Sequence, residues 1–272
     1  MKVGEALKRG ERELAQSGVS APRLESEVLI AFALGVPRER IYLHREDEIP
    51  DEVFEELLNR RKRGEPMAYI TGVKCFFGRE FDITRDVLIP RPETETVIET
   101  VLHKTASPEG IWADIGTGSG VIAITLSLEK TGWQWVATDV SVPALLLAQR
   151  NARKHSARVH FVRGDGLTLF QRHSLSGLVS NPPYVDPEDK RLAPEVRAWE
   201  PAEALFTPGG TAFLQSLIEE APHVLKRKGV LCVEFGMGQE DFVARLLRKH
   251  FEFQIIPDLA GIPRVAFATL RI

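Results

Sequence analysis

The four residues Asn181-Pro182-Pro183-Tyr184 follow the short apolar run Leu178-Val179. The prolines remove two backbone donors and hold Asn181 and Pro182 outside the helical region. The side-chain oxygen of Asn181 and the carbonyl of Pro182 then form two stiff acceptors, with Pro183 fixing the path of the chain. Tyr184 adds a ring on which a flat group can stack. Such a set suits a planar NH2 group, whose nitrogen is a poor nucleophile because its lone pair is delocalised. Two acceptors would fix that nitrogen and favour the positive charge that grows on it during alkylation. A rigid turn that merely contains a tyrosine is the plain alternative, because Asn-Pro and Pro-Pro also punctuate ordinary loops.

A second constellation precedes it. Gly116, Gly118 and Gly120 lie in "ADIGTGSGVIA", between an apolar strand and an apolar helix. Such a loop lets backbone approach a ligand and points helix N–H groups at it. Asp139 falls at the end of the next strand, where it can accept from a ribose. A dinucleotide is the obvious rival ligand, but the spacing is G-x-G-x-G, with Val121 at the third glycine position of the dinucleotide fingerprint. Asp114 stands just before the loop and would repel a pyrophosphate, whereas it suits a ligand with an ammonium and a sulfonium. S-adenosylmethionine carries both and has no phosphate. A carboxylate that caps the loop is the alternative for Asp114. Asp165 and Gly166 end the third strand, where a carboxylate can accept from an adenine amino group; an ordinary Asp-Gly turn is equally consistent.

Strands alternating with helices must position these groups. From Pro92 onward the pattern predicts a mainly parallel sheet covered on both faces, its final two strands antiparallel. The loop glycines, Asp139, Asp165 and Asn181 each fall at the carboxyl end of a strand, the edge where open α/β sheets bind ligands. Residues 1–68 read as helices only, a small recognition or docking domain. Residues 69–90 read as a β-hairpin linker turning about Gly78, and residues 91–272 as the catalytic domain. The polar segment 186–210 is long for a connection and is expected to wall or cover the site, with Trp199 and Glu200 at its entrance.

Composition limits the rest. The chain has 272 residues, 43% hydrophobic and 27% charged, with a net charge of −3. This balance is that of a soluble protein and lacks the basic surplus of a nucleic-acid binder. The basic run at 60–64 closes a helix, where cations suit the dipole. No membrane span or signal-peptide pattern is present, so a cytoplasmic protein is expected. The two cysteines, Cys75 and Cys232, sit in strand-like contexts and read as free buried thiols. The histidines show no ligand spacing, so no metal is expected.

"IPRPETE" (89–95), "DIGTGSG" (114–120), "VSNPPYV" (179–185) and "WEPAEAL" (199–205) together resemble the HemK/PrmC family. The family methylates the N5 nitrogen of a glutamine in peptide chain release factors. The resemblance spans nearly the whole chain and implies a class I S-adenosylmethionine-dependent methyltransferase, Rossmann-like, with seven strands and the last antiparallel. It implies that Gly116, Thr117, Gly118, Ser119, Gly120, Asp139 and Asn181 contact S-adenosylmethionine. It further implies that Asn181, Pro182, Pro183 and Tyr184 hold the glutamine of a Gly-Gly-Gln motif, while the N-terminal domain grips the release factor. Arg91 or Thr94 reaching the cofactor is a further carry-over. Relatives often have a bulky residue after the equivalent of Asp165; Gly166 stands there in this chain, and Leu167 is expected to supply that wall. A monomer is expected. NPPY alone is shared with adenine-N6 methyltransferases of RNA and DNA, which are the rival reading.

Overall fold

The computed structural model describes residues 1–105 and 109–271. They form two compact units: Met1–Val73 with Pro194–Trp199, and the described residues of 74–193 with those of 200–271.

The first unit is helical. Helix α1 (Val3–Gln16) buries Val3, Ala6, Gly10 and Leu14, spaced so that they share one face. A Cβ on Gly10 would stand 2.3 Å from Ser26 Oγ, so this glycine permits the close approach of α2 (Pro22–Leu34). Pro22 opens α2 where its missing N–H costs nothing, and Gly35 ends it in the left-handed region. Helix α3 (Asp51–Lys62) begins with acids and ends with bases, matching the macrodipole. The basic run at its end is consumed internally. Arg60 makes a bidentate pair with Glu65, Arg61 reaches Glu25 at 2.5 Å and Lys62 reaches Glu13 at 2.9 Å. A short helix, Pro194–Trp199, belongs to the same unit.

Tyr69–Thr71, read as strand from the sequence, is instead part of helix α4 (Met67–Thr71). Pro66 starts that turn and Gly72, at φ 74°, stops it. The hairpin follows, from β1 (Val73–Phe76) to β2 (Arg79–Asp82), turning through Phe77 and Gly78 at positive φ. Cys75 on this hairpin is exposed, contrary to expectation, because a two-stranded ribbon leaves one face to solvent.

The second unit holds α5 (Glu95–Lys104), β3 (Gly110–Ile115), α6 (Val121–Glu129), β4 (Trp133–Asp139), α7 (Val142–Lys154), β5 (Val159–Arg163) and β6 (Leu175–Ser180). A one-turn helix, Ala202–Leu205, leads to α8 (Ala212–Val224), β7 (Leu225–Glu234), α9 (Glu240–Leu247), β8 (Phe251–Pro257) and β9 (Pro263–Leu270). The strands form one seven-stranded sheet in the order β5-β4-β3-β6-β7-β9-β8. β9 alone runs antiparallel to its neighbours. The chain winds outward from β3 to β5, then returns to place β6 on the other side of β3. The strand order therefore reverses between β3 and β6, which opens a crevice at their carboxyl ends.

Packing beneath that crevice is tight. Every residue of β6 is buried, and Gly177 faces Trp112 across the β3–β6 pair. A Cβ at Gly177 would lie 2.3 Å from the Trp112 ring, which itself stacks on Trp133 with centroids 4.2 Å apart. Cys232 is buried in β7, and burial raises the pKa of its thiol.

Candidate active site

A cavity of about 420 Å³ opens at the switch point, within the roughly 300–1,000 Å³ of small-molecule sites. The loop after β3 forms its floor with Gly116, Thr117, Gly118 and Ser119; Asp139 enters from β4, Asp165 and Gly166 follow β5, and Asn181 and Pro183 follow β6. Nine of the residues singled out in the sequence thus meet around one space. Val87, Ile122, Val140, Phe206 and Phe213 give it an apolar lining.

The loop is shaped by its glycines and by two carboxylates. Gly116 and Gly118 have φ of 70° and 54°, and a Cβ on either would project into open space. Gly120 plays another part: a Cβ there would meet Ile124 at 2.8 Å and Ala148 at 3.1 Å, so it brings α6 and α7 together. Asp139 accepts from Gly118 N and Ser141 N, both at 2.9 Å, pinning the loop to the end of β4. Each of its oxygens keeps a lone pair for a hydroxyl.

Asp114 does not line the cavity. It lies fully buried beneath the loop, where Oδ2 accepts from Thr117 Oγ1 at 2.6 Å and Ala123 N at 3.2 Å. Burial pushes its pKa up to about 7 against those two bonds, and the charge of Asp139 adds to the rise. Its Oδ1 is buried without a partner. Leu167 is also part of the core; it borders a smaller neighbouring cavity and does not wall the larger one.

At the other wall, Asn181 Nδ2 donates to Thr94 Oγ1 at 3.0 Å. Thr94 Oγ1 donates onward to Glu234 Oε2 at 2.7 Å, and Tyr184 OH donates to Glu234 Oε1 at 3.0 Å. Asn181 Oδ1 is buried and has no hydrogen-bond partner. Leaving a polar atom so costs roughly 1–3 kcal/mol, which a bound N–H donor would recover. Glu234 ends β7 with no exposed surface; burial lifts its pKa to about 7, Thr94, Tyr184 and the charge of Arg264 opposing and Glu93 reinforcing the rise. Burial and the Glu234 charge together raise the pKa of Tyr184. Pro182 and Tyr184 do not line the cavity, although they flank residues that do. Gln239 holds the Tyr184 carbonyl at 3.1 Å and the Gly210 carbonyl at 2.9 Å.

The segment after Tyr184 leaves the sheet edge and returns. Val185 pairs with Phe206 as a β-bridge, and Pro201, Glu203, Ala204, Phe206 and Thr207 join the cavity wall. Trp199 and Glu200 do not line the entrance. Trp199 belongs to the helical unit, and Glu200 is buried, accepting from Arg91 Nη2 at 2.5 Å and from Ile89 N at 3.1 Å. Arg91 is therefore spent on that pair, while Thr94 reaches the cavity.

Glu234 and Gln239 were not anticipated from the sequence. A signal for Glu234 existed: it is the one acid in the buried run Val230–Glu234, where an ionisable group needs a reason. Among the described residues no acidic, histidine or cysteine cluster could hold a metal, and no helix is long and apolar enough to cross a membrane.

Comparison with known proteins accords with this geometry. Residues 5–72 match the PrmC N-terminal domain and residues 92–214 the methyltransferase small domain. A release factor glutamine methyltransferase of Nitratidesulfovibrio vulgaris is 42% identical, the match covering 96% of this chain and 93% of that one. One of Bacillus cereus is 36% identical over the full length of both. Among solved structures, a methyltransferase from Pyrococcus furiosus superposes with a TM-score of 0.52 at 16% identity, covering 80% of this chain and all of that one, a likeness of fold alone. The chain belongs to the release factor glutamine methyltransferase family.

Proposed function

We infer that this chain transfers a methyl group from S-adenosylmethionine to the side-chain amide nitrogen of the glutamine in the Gly-Gly-Gln motif of peptide chain release factors. Membership of the family supports the reaction, and the unpartnered Oδ1 of Asn181 is the observation that ties it to this site. The open glycine cradle, with Asp139 at its edge, suits a nucleoside ligand, and membership of a methyltransferase family supports S-adenosylmethionine as that ligand. Gly116, Thr117, Gly118, Ser119 and Asp139 would hold it, with Asp165 toward the base. Bound there, S-adenosylmethionine would supply an electrophilic methyl group. Asp114 braces the loop from below rather than facing the ligand.

The chain's own contribution is positioning and electrostatics. Asn181 Oδ1 accepts one N–H of the glutamine amide and the Pro182 carbonyl accepts the other. Held so, the nitrogen cannot turn its lone pair away, and the acceptors favour the positive charge that develops as its new bond forms. The N–H groups then become acidic, and one proton leaves without a strong base. Tyr184, its hydroxyl held by Glu234, anchors the turn that carries both acceptors. We assign recognition of the release factor to the helical unit and place the activity in the cytoplasm, where its substrate acts. Every group in this scheme comes from a single chain, as a monomeric enzyme requires.

Incubation with labelled S-adenosylmethionine and either a release factor or nucleic acid tests this reading. Label on the Gly-Gly-Gln glutamine, located by mass spectrometry, is expected. Label on an adenine amino group instead would identify a nucleic-acid methyltransferase.

A further inference from the structure

We infer that Glu234 is a positioning residue for methyl transfer: acting through Thr94, it dictates which end of the Asn181 amide is presented to the acceptor. The inference rests on the reading of the site as a glutamine-amide methyltransferase.

An asparagine amide is nearly symmetric in shape but opposite in polarity at its two ends. Only the oxygen can serve an incoming NH2 group; a flipped amide would set two donors against each other. Something must therefore hold Nδ2 away from the acceptor. Thr94 Oγ1, 3.0 Å from Nδ2, cannot do so alone, because a hydroxyl both donates and accepts. Its single proton is committed elsewhere, to Glu234 Oε2 at 2.7 Å. With that proton spent, Thr94 has only lone pairs to offer Asn181, and only Nδ2 can answer them. Oδ1 is left for the acceptor.

A carboxylate is suited to this task because, once ionised above its raised pKa of about 7, it accepts and never donates. The second oxygen of Glu234 takes the Tyr184 hydroxyl at 3.0 Å. One side chain thus orders both functional side chains of the NPPY turn. Neither donor is a cation, so an ion pair does not account for an acid buried here. Arg264 contributes charge at longer range, its own hydrogen bonds going to Asp258 and the Phe235 carbonyl.

The variants Glu234→Gln, Thr94→Val and Thr94→Ser separate this role from a structural one. Glutamine can present its NH2 to Thr94 and turn the hydroxyl's proton toward Asn181 Oδ1, stabilising the wrong flip. Glu234→Gln and Thr94→Val are each expected to lower kcat at least ~10-fold, less than loss of a direct preorganised contact. For Glu234→Gln, which lies outside the cavity lining, the calorimetric affinity for S-adenosylmethionine and the KM for release factor should stay within about threefold of wild type, because the orientation it controls matters most as charge develops on the nitrogen in the transition state. Thr94→Ser, which keeps the hydroxyl, should recover to within about threefold of wild type. In the Thr94→Val background, adding Glu234→Gln should cost no more than about threefold further, since Glu234 acts through the missing hydroxyl. Independent, additive losses in the double variant, or equal losses from Thr94→Ser and Thr94→Val, would overturn the inference. If Glu234→Gln does not fold, the two Thr94 variants still decide it. Failure of the wild-type protein to methylate a release factor is a separate result and would count against the function itself.

Discussion

Thr94 Oγ1 lies between two partners far away in the sequence, accepting from Asn181 Nδ2 at 3.0 Å and donating to Glu234 Oε2 at 2.7 Å. Through this hydroxyl the carboxyl ends of β6 and β7 are joined by directed hydrogen bonds. Packing alone would fix where Asn181 sits but not which way its amide faces. The arrangement places an acid in an apolar interior, a cost in stability of the kind functional sites carry.

That cost should appear in the pH dependence of stability. The carboxyl of Glu234 has its pKa raised to about 7 from 4.5 by burial. A raised acid pKa means that, between roughly pH 4 and pH 7, the folded state keeps a proton the unfolded chain has released; stability is full at low pH and falls as pH rises through about 7. Glu234→Gln lacks this titration, while Arg264, Glu93 and Tyr184 still face the position. Between about pH 5 and about pH 8, the unfolding free energy of the variant relative to wild type should improve by on the order of 3 kcal/mol. Denaturant titrations at the two pH values check this; a difference independent of pH would contradict it.

Gly118→Val tests the cradle. The native φ of 54° is one that a β-branched residue adopts only with strain, and its side chain would enter the open space above the loop. Cofactor affinity measured by calorimetry should fall at least ~10-fold, about 1.4 kcal/mol. Unchanged affinity would remove the glycine loop from the binding site.

Gly177→Ala tests the packing below the site. With the Trp112 ring 2.3 Å from the added methyl, either β3 or β6 must shift. Overpacking of this kind costs typically ~1–3 kcal/mol, and denaturant unfolding should report a loss in that range. A neutral result would mean that the indole can move aside, which its stacking on Trp133 argues against.

Much of this arrangement was legible from local pattern. The β3 loop announced itself because only glycines serve at Gly116 and Gly118, and the NPPY turn because consecutive prolines fix a path whatever surrounds them. Strand–helix alternation gave the sheet, and the helix-free stretch before the last strand gave its antiparallel neighbour. What stayed hidden depends on contacts between distant residues. Glu234 meets Thr94 only once the start of α5 packs against β7, and nothing near either residue encodes that bond. Asp114 has the residue type of a ligand, yet the hydroxyl of Thr117 and the N–H of Ala123 hold it under the loop. Glu200 was expected at the entrance; its pairing with Arg91, in a segment far earlier in the chain, turns it inward. Tyr69–Thr71 combine β-branched and aromatic residues suited to a strand, but the flanking Pro66 and Gly72 frame a single helical turn.

The claim on which the account depends is that Asn181 Oδ1 accepts a hydrogen bond from the amide being methylated. Single-turnover methylation of a release factor by Asn181→Ala, at saturating S-adenosylmethionine, tests it most directly. The rate is expected to fall at least ~100-fold, the scale of removing a preorganised polar partner, with the helical and sheet content unchanged by circular dichroism. A rate within a few-fold of wild type would show that the oxygen has no part in holding the acceptor.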